Sequence, residues 1–259
     1  MNFSSINILI VVYGCLSRSL NITHQNHQNQ IFNVFKSRGI TYSTCYINNH
    51  VNEIDGIVVK PFDVPSVSAD HYITITQKHI DEKIFQQYPN FNKFFRNIPG
   101  KKSYIDTFGI NPLRNSFIET MASNFIKSNH KKYSHCLAFC ADNWFGDPIH
   151  LNYINDDHLI VSDQNPASGY TNGFYFGECK LVSQLINTFN NLGSDAIHDF
   201  EYLLKCNAQR HKISILEEKY RFLKIRSSGI PAYFELKGIA KRWSRVEHIL
   251  SEYLLATQK

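Results

Sequence analysis

Ile6-Asn7-Ile8-Leu9-Ile10-Val11-Val12-Tyr13-Gly14-Cys15-Leu16-Ser17-Arg18 is the stretch whose reading decides the fold. Its apolar part has no basic segment before it and no small-residue cleavage site after it, so it reads as a buried strand and not as a signal peptide. The turn that follows carries Gly14. In a mostly parallel sheet, ligands sit beyond the carboxyl ends of the strands, and a glycine there lets a ligand approach the backbone closely.

Working outward, further strand-length apolar runs are predicted at Thr41 to Ile47, Gly56 to Val59, His71 to Thr76, His135 to Cys140 and Phe174 to Gly177. Helix-length patterns lie between several of them. Asn21 to Ser37 carries Ile31, Val34 and Phe35 at helical spacing, and Arg114 to Ser128 carries Phe117, Ile118, Met121, Phe125 and Ile126. Strands alternating with helices imply an α/β fold with a mixed, mostly parallel central sheet flanked by helices. Later segments predict a helix over Lys180 to Leu192, a short helix near Ala196 with Phe200, Leu203 and Leu204, strands around Ile213 to Leu216 and Phe222 to Ile225, and a closing amphipathic helix from Ala240 to Ala256. No long linker, repeat or low-complexity tract interrupts the 259 residues, so a single domain is expected, its first half to about residue 145 and its second from about 146.

Composition narrows the class. A chain with 43% hydrophobic, 14% aromatic and 19% charged residues has a globular balance. Its formal charge of +5 is mild, and the cations concentrate between Lys205 and Arg245 without a dense run, which suits a phosphate-bearing ligand better than nucleic acid. Six scattered cysteines fit a reducing, cytoplasmic setting, and Cys136 and Cys140 share one face of a strand as buried thiols. No apolar run approaches 18 residues, so no membrane span is expected.

Three motifs are candidates for chemistry. Gly14 to Arg18 contains neither GxGxxG nor GxxxxGK[ST], which removes the dinucleotide and P-loop readings, but Arg18 has a planar fork suited to a diphosphate. His135-Cys-Leu-Ala-Phe-Cys-Ala-Asp142-Asn-Trp144-Phe-Gly-Asp147 is an apolar strand that ends in an aspartate, which puts Asp142 at the ligand edge of the sheet, where a carboxylate can hold a divalent ion. Thr171-Asn172-Gly173-Phe174-Tyr175-Phe176-Gly177-Glu178 follows a polar loop with Pro166 and Gly169, the kind of connection that carries binding function; Asn172-Gly173 also reads as a tight turn. The twelve histidines show no HExxH or paired ligand spacing, so a zinc enzyme is not expected.

Read in order, these pieces resemble the GT-A class of nucleotide-sugar glycosyltransferases, and more narrowly the small viral and bacterial glycosyltransferases that act on surface glycans. Tyr13, Gly14 and Arg18 look like that family's nucleotide-binding edge. Asn111-Pro112-Leu113-Arg114-Asn115 is similar to its basic-plus-amide helix, Asp142 stands at the position of its DxD metal motif with Cys140 in place of the first aspartate, and Asn172, Gly173 and Tyr175 fall in its acceptor-side segment. Ile197 to Leu204 and Tyr220 to Arg226 are similar to its closing helix and strand. The resemblance implies a UDP- or GDP-sugar donor, a glycan or glycoprotein acceptor, and Mn2+ or Mg2+ held by Asp142.

Such a transfer requires stabilisation of a diphosphate leaving group, and for inversion a carboxylate must deprotonate the acceptor hydroxyl. Asp163, Glu178 and Glu201 are the candidate carboxylates, Asp163 foremost because it ends the apolar run Leu159 to Val161 just before the polar loop. Asp147 ranks below them. Trp144 and Tyr175 are candidates to stack on sugar rings, or else belong to the core. The second expectation is a non-catalytic nucleotide- or glycan-binding relative of the same fold; the third, a nucleic-acid binder, rests only on the basic C-terminal third.

Overall fold

The computed structural model describes residues 6–54, 57–58, 67–91, 109–154, 157–164, 169–192, 200–226, 228–232 and 247–257. Its framework follows from the opening run. In β1 (Asn7–Gly14), branched residues that fit an extended backbone alternate between two faces, and both faces are buried. Ile8, Ile10 and Val12 enter one apolar layer and Leu9, Val11 and Tyr13 the other, all almost fully excluded from solvent.

On one side of β1 lie β2 (Thr41–His50) and β5 (His71–Thr76); β3 (Glu53–Ile54) and β4 (Ile57–Val58) form a separate two-residue hairpin between them. On the other side lie β6 (His135–Cys140), β9 (Phe174–Glu178), β8 (Leu159–Ser162) and β10 (Ile215–Glu218). The order across this seven-stranded sheet is β10-β8-β9-β6-β1-β2-β5. Only β9 runs against its neighbours; the rest are parallel, so the carboxyl ends of six strands share one edge. The sheet draws strands from both halves of the chain.

Helices cover both faces. On one lie α1 (Leu16–His27), a π-helical turn (Gln28–Phe32) and α2 (Asn33–Ser37), burying Leu16, Leu20, Ile31, Phe32 and Phe35. The other carries α3 (Gln77–Gln87), α4 (Asn111–Asn129), α5 (Cys179–Leu185) and α6 (Phe200–His211). A small antiparallel pair, β7 (Asn143–Phe145) with β11 (Phe222–Lys224), continues from the tip of β6, and α7 (Glu247–Thr257) packs Ile249 and Tyr253 against it. No described helix is long and apolar enough to cross a membrane.

Several expectations shift in detail. The first helix begins at Leu16, five residues before the expected Asn21, because Leu16 and Leu20 form a buried stripe one turn apart. Helix α3 lacks any forecast, although Thr76 caps it by accepting from the His79 N–H and Ile80 and Ile84 are buried at helical spacing. Four residues suffice for β8 because both its faces are buried. All six cysteines are unbridged, and Cys136 and Cys140 do lie on one face. Gly56, Val59, Pro166, the segment 196–199 and the start of the closing helix over 240–246 lie outside the described residues.

Ile10 has no solvent exposure and fills the layer beneath α1. Ile10→Ala is expected to lower the unfolding free energy by about 2–5 kcal/mol. Leu216→Ala, at a position 40% exposed, should change it by less than about 0.5 kcal/mol; chemical denaturation of the two variants checks the contrast.

Candidate functional site

The register at the centre of the sheet brings two sequence motifs together. Tyr13 pairs with Cys140, and the Ala141 N–H donates to the Tyr13 carbonyl at 2.9 Å, so Gly14 and Asp142 leave the sheet side by side at its carboxyl edge. Gly14 sits at φ +123°, a conformation L side chains rarely adopt, with nothing within 4 Å of where a Cβ would stand. The chain then turns into α1, whose Leu16 N–H donates to Asn48 Oδ1 on β2. Thr23, on the next turns of α1, donates to the Ala141 carbonyl at 2.7 Å, which holds the helix over the tip of β6.

Asp142 is bound to β11 through backbone and side chain alike. Its carbonyl accepts from Ile225 N–H at 2.8 Å, and its Oδ1 lies 3.3 Å from Lys224 Nζ. Both side chains are mostly buried, at 16% and 21% exposure. Burial works against the Asp142 carboxylate, but Lys224, Arg18 and Arg226 outweigh it and hold its pKa below the usual range. Burial likewise pulls on the Lys224 ammonium, and Asp142 and Cys140 more than reverse this, raising its pKa. Three cations therefore act on one carboxylate, with Lys224 in direct contact.

Behind this pair runs a buried chain of hydroxyls. Gly173 N–H donates to Tyr175 Oη at 3.1 Å, Tyr175 Oη donates to Glu119 Oε1 at 2.8 Å, and Tyr13 Oη donates to the same oxygen at 2.8 Å. Glu119, on α4, is 2% exposed, and its Oε2 has no partner among the described residues. Burial pushes its pKa up to about 7, although the two tyrosine hydrogen bonds and the charge of Lys224 oppose it. Gly173 is required here on two grounds: φ is +93°, and a Cβ would stand 2.7 Å from Lys224 Nζ and 3.0 Å from Cys140 Sγ.

The forecast site residues divide by position. Tyr13, Gly14, Arg18, Asp142, Gly173 and Tyr175 meet at this edge, with half-buried Asn172 beside Gly173. Tyr175 has no exposure and serves the Glu119 network, not a sugar face. Trp144 packs edge-on against Tyr253 in the small apolar cluster below β11. The Arg114 fork is spent on Asp81, with two bonds of 2.7 Å, and on Asn111. Asp163 shares the carboxyl edge, two strands out, in a two-pronged pair with Arg221 at 3.1 Å. Glu178 lies opposite His135, at the other end of β6, roughly 17 Å away along the strand. It lines a separate cavity of about 390 Å³ with His130, Ser134 and Lys180. Glu201 opens α6, its carbonyl accepting from Tyr170 N–H, and its charge reaches Glu119.

Residues that carry the site without any forecast role are Glu119 and Lys224. Each is a lone charge inside an apolar pattern, Ile118-Glu119 on α4 and Phe222-Leu223-Lys224-Ile225 on β11, and that misfit is the signal the sequence offered. A second cavity, about 660 Å³, opens at the same edge beyond β2 and β5; His50, Asn52, Thr76, Lys78, Asp81 and the half-exposed Phe85 line it. Asp142 lines neither cavity.

The fit of a divalent ion was set by Asp142 and its neighbours. The described residues gather no group of three or more His, Cys, Asp or Glu side chains. Burial pushes the adjacent Cys140 thiol up to about 11, and its soft sulfur is a poor donor for hard ions that prefer oxygen. Asp142 already faces an ammonium. These donors do not fit Mn2+ or Mg2+. Neither a protein-family model nor a curated protein matches the chain.

Glu119 gives the site a measurable signature. Between pH 4.5 and about 7 the unfolded chain has released this proton while the folded chain keeps it, so Glu119 makes stability fall as pH rises. His27 acts in the opposite sense: burial lowers its pKa from 6.5 to about 4, so its contribution rises with pH over most of the same interval. Glu119→Gln removes only the falling slope. Denaturation across this interval should show the variant gaining on the wild type by up to about 1.4 kcal/mol per pH unit; a constant difference would mean that Glu119 ionises normally.

Proposed function

We propose that the chain is a glycosyltransferase that takes a sugar from a nucleoside-diphosphate donor, on a GT-A-like fold. The observation that carries this reading is the meeting of the Gly14–Arg18 turn with Asp142 and Lys224 at the carboxyl edge of a mixed, mostly parallel sheet. That edge combines part-exposed backbone at Gly14, a helix amino terminus and the cations Arg18 and Lys224, which together suit a diphosphate. The cavity beyond β2 and β5 opens on the same edge of the sheet, and we assign it to the nucleoside, with Phe85 available to a base.

In the reaction, the bond between the anomeric carbon and the diphosphate oxygen breaks and its electron pair leaves with the diphosphate, where Arg18 and Lys224 neutralise the charge. The acceptor hydroxyl oxygen bonds to the anomeric carbon, and its proton passes to a carboxylate. Among the candidate carboxylates Glu178 lies at the far edge, and Glu201 is the one whose charge reaches Glu119 behind the site, so we assign this step to Glu201. A second reading, a binding protein without transfer, is favoured by one observation: the aspartate at the metal-motif position is already neutralised by Lys224.

A panel of UDP- and GDP-sugars tested for thermal stabilisation and for product by mass spectrometry distinguishes these readings. Transfer to a glycan acceptor, slowed by about 100-fold or more in Glu201→Gln with donor binding unchanged, is the expected result. Stabilisation without product under any acceptor supports the binding protein, and no response to any nucleotide sugar contradicts both.

A further inference from the structure

The proposed donor chemistry leaves open what cation faces the diphosphate, and the surroundings of Asp142 answer it. Lys224 Nζ lies 3.3 Å from Asp142 Oδ1, so the carboxylate that would hold an ion already faces an ammonium. The ammonium is closely fenced: it contacts Cys140, and the absent side chain at Gly173 leaves it a space that a single Cβ would intrude on at 2.7 Å. Arg18 on α1 and Arg226 after β11 add their fields at the same carboxylate. At this carboxylate the combined charge of Lys224, Arg18 and Arg226 is positive and outweighs the effect of burial. An incoming dication meets like charge there, whereas an incoming diphosphate meets its opposite.

We propose that Lys224, supported by Arg18 and Arg226, takes the place of a divalent metal in this site, so that the chain binds the diphosphate of its donor as a metal-independent ligand. The proposal rests on the nucleotide-diphosphate reading above. In it Asp142 is a positioning residue: it holds the Lys224 ammonium charged and aimed along the edge between β11 and the Gly14–Arg18 turn, and it does not touch the ligand through a metal. The role assigned to Asp142 is thereby reversed. A metal-bridging carboxylate is needed for diphosphate affinity, but one that only orients a lysine can be replaced by an amide whose oxygen still accepts from the ammonium.

Titration calorimetry of the full chain with UDP and with GDP, in EDTA and then in excess Mn2+, tests this. The expected result is binding in EDTA with an affinity that Mn2+ leaves within about threefold, weakened by about tenfold or more in Lys224→Met and in Arg18→Ala, as the loss of a charge-assisted contact requires. Asp142→Asn, which keeps an oxygen that accepts from the Lys224 ammonium but loses the carboxylate that a metal would need, should still bind in EDTA. Should Lys224→Met fail to fold with its buried aspartate unpaired, the double variant D142N/K224M, which leaves no lone charge, is predicted to fold and to show the same weakening. Binding only with Mn2+, loss of binding in Asp142→Asn, or wild-type affinity in EDTA without the Lys224 ammonium would each overturn the proposal while the nucleotide reading stands. No binding of either nucleotide in either condition would overturn both.

Discussion

A mostly buried carboxylate needs a counter-charge, and Asp142 finds it in Lys224 on a segment 82 residues further along the chain. The pair does more than neutralise. It brings β11 back to the tip of β6, where Ile225 N–H also bonds the Asp142 carbonyl and β11 pairs with β7. That small sheet in turn provides the surface on which Ile249 and Tyr253 of α7 pack. From the other side α1 grips the same place: Asn26 exchanges two hydrogen bonds with the Phe145 backbone, and His27 Nε2 donates to the Asn143 carbonyl. The carboxyl edge is thus built from both ends of the chain around one ion pair.

The charges there are graded by depth. Arg18 is half-buried, Asp142 and Lys224 are mostly buried, and Glu119 is almost wholly enclosed under two tyrosine hydroxyls. Solvent screens the outer members most, so the inner ones keep stronger mutual influence. Gly173 is the hinge of this gradient: its N–H joins the tyrosine chain, its carbonyl accepts from Cys140 N–H and Asn143 Nδ2, and its lack of a side chain admits Lys224. Burial that pushes the Glu119 carboxyl up to about 7 reduces the negative charge behind the Lys224 ammonium near neutral pH.

Much of this was legible in the sequence because burial on both faces leaves continuous apolar runs. β1, β5, β6 and β9 were found within a residue or two on that signal, and the mixed sheet followed from the alternation with helices. Asp142 was legible as the residue at which an apolar strand stops. Its partner was not, since which cation returns to that tip depends on how β7 and β11 pair, a long-range register that no local pattern encodes. The same holds for Arg114 and Asp163: each looked available in sequence, and each is held by a partner brought in by the fold, Asp81 from α3 and Arg221 from the turn before β11. Glu178 was misjudged because β9 runs antiparallel, which sends its carboxyl end to the opposite edge. Helix α3 escaped because only Ile80 and Ile84 mark its buried stripe, and its other large apolar side chain, Phe85, is half-exposed.

The account stands on an anion held between the Gly14–Arg18 turn and Lys224. A crystal structure of the chain grown with UDP in a chelating buffer examines this directly. The account predicts electron density for the diphosphate within hydrogen-bond reach of Lys224 Nζ and the Arg18 guanidinium, with the nucleoside extending over the ends of β2 and β5. Nucleotide at the opposite edge beside Glu178, or a diphosphate at this edge held through a metal ion on Asp142, would contradict it.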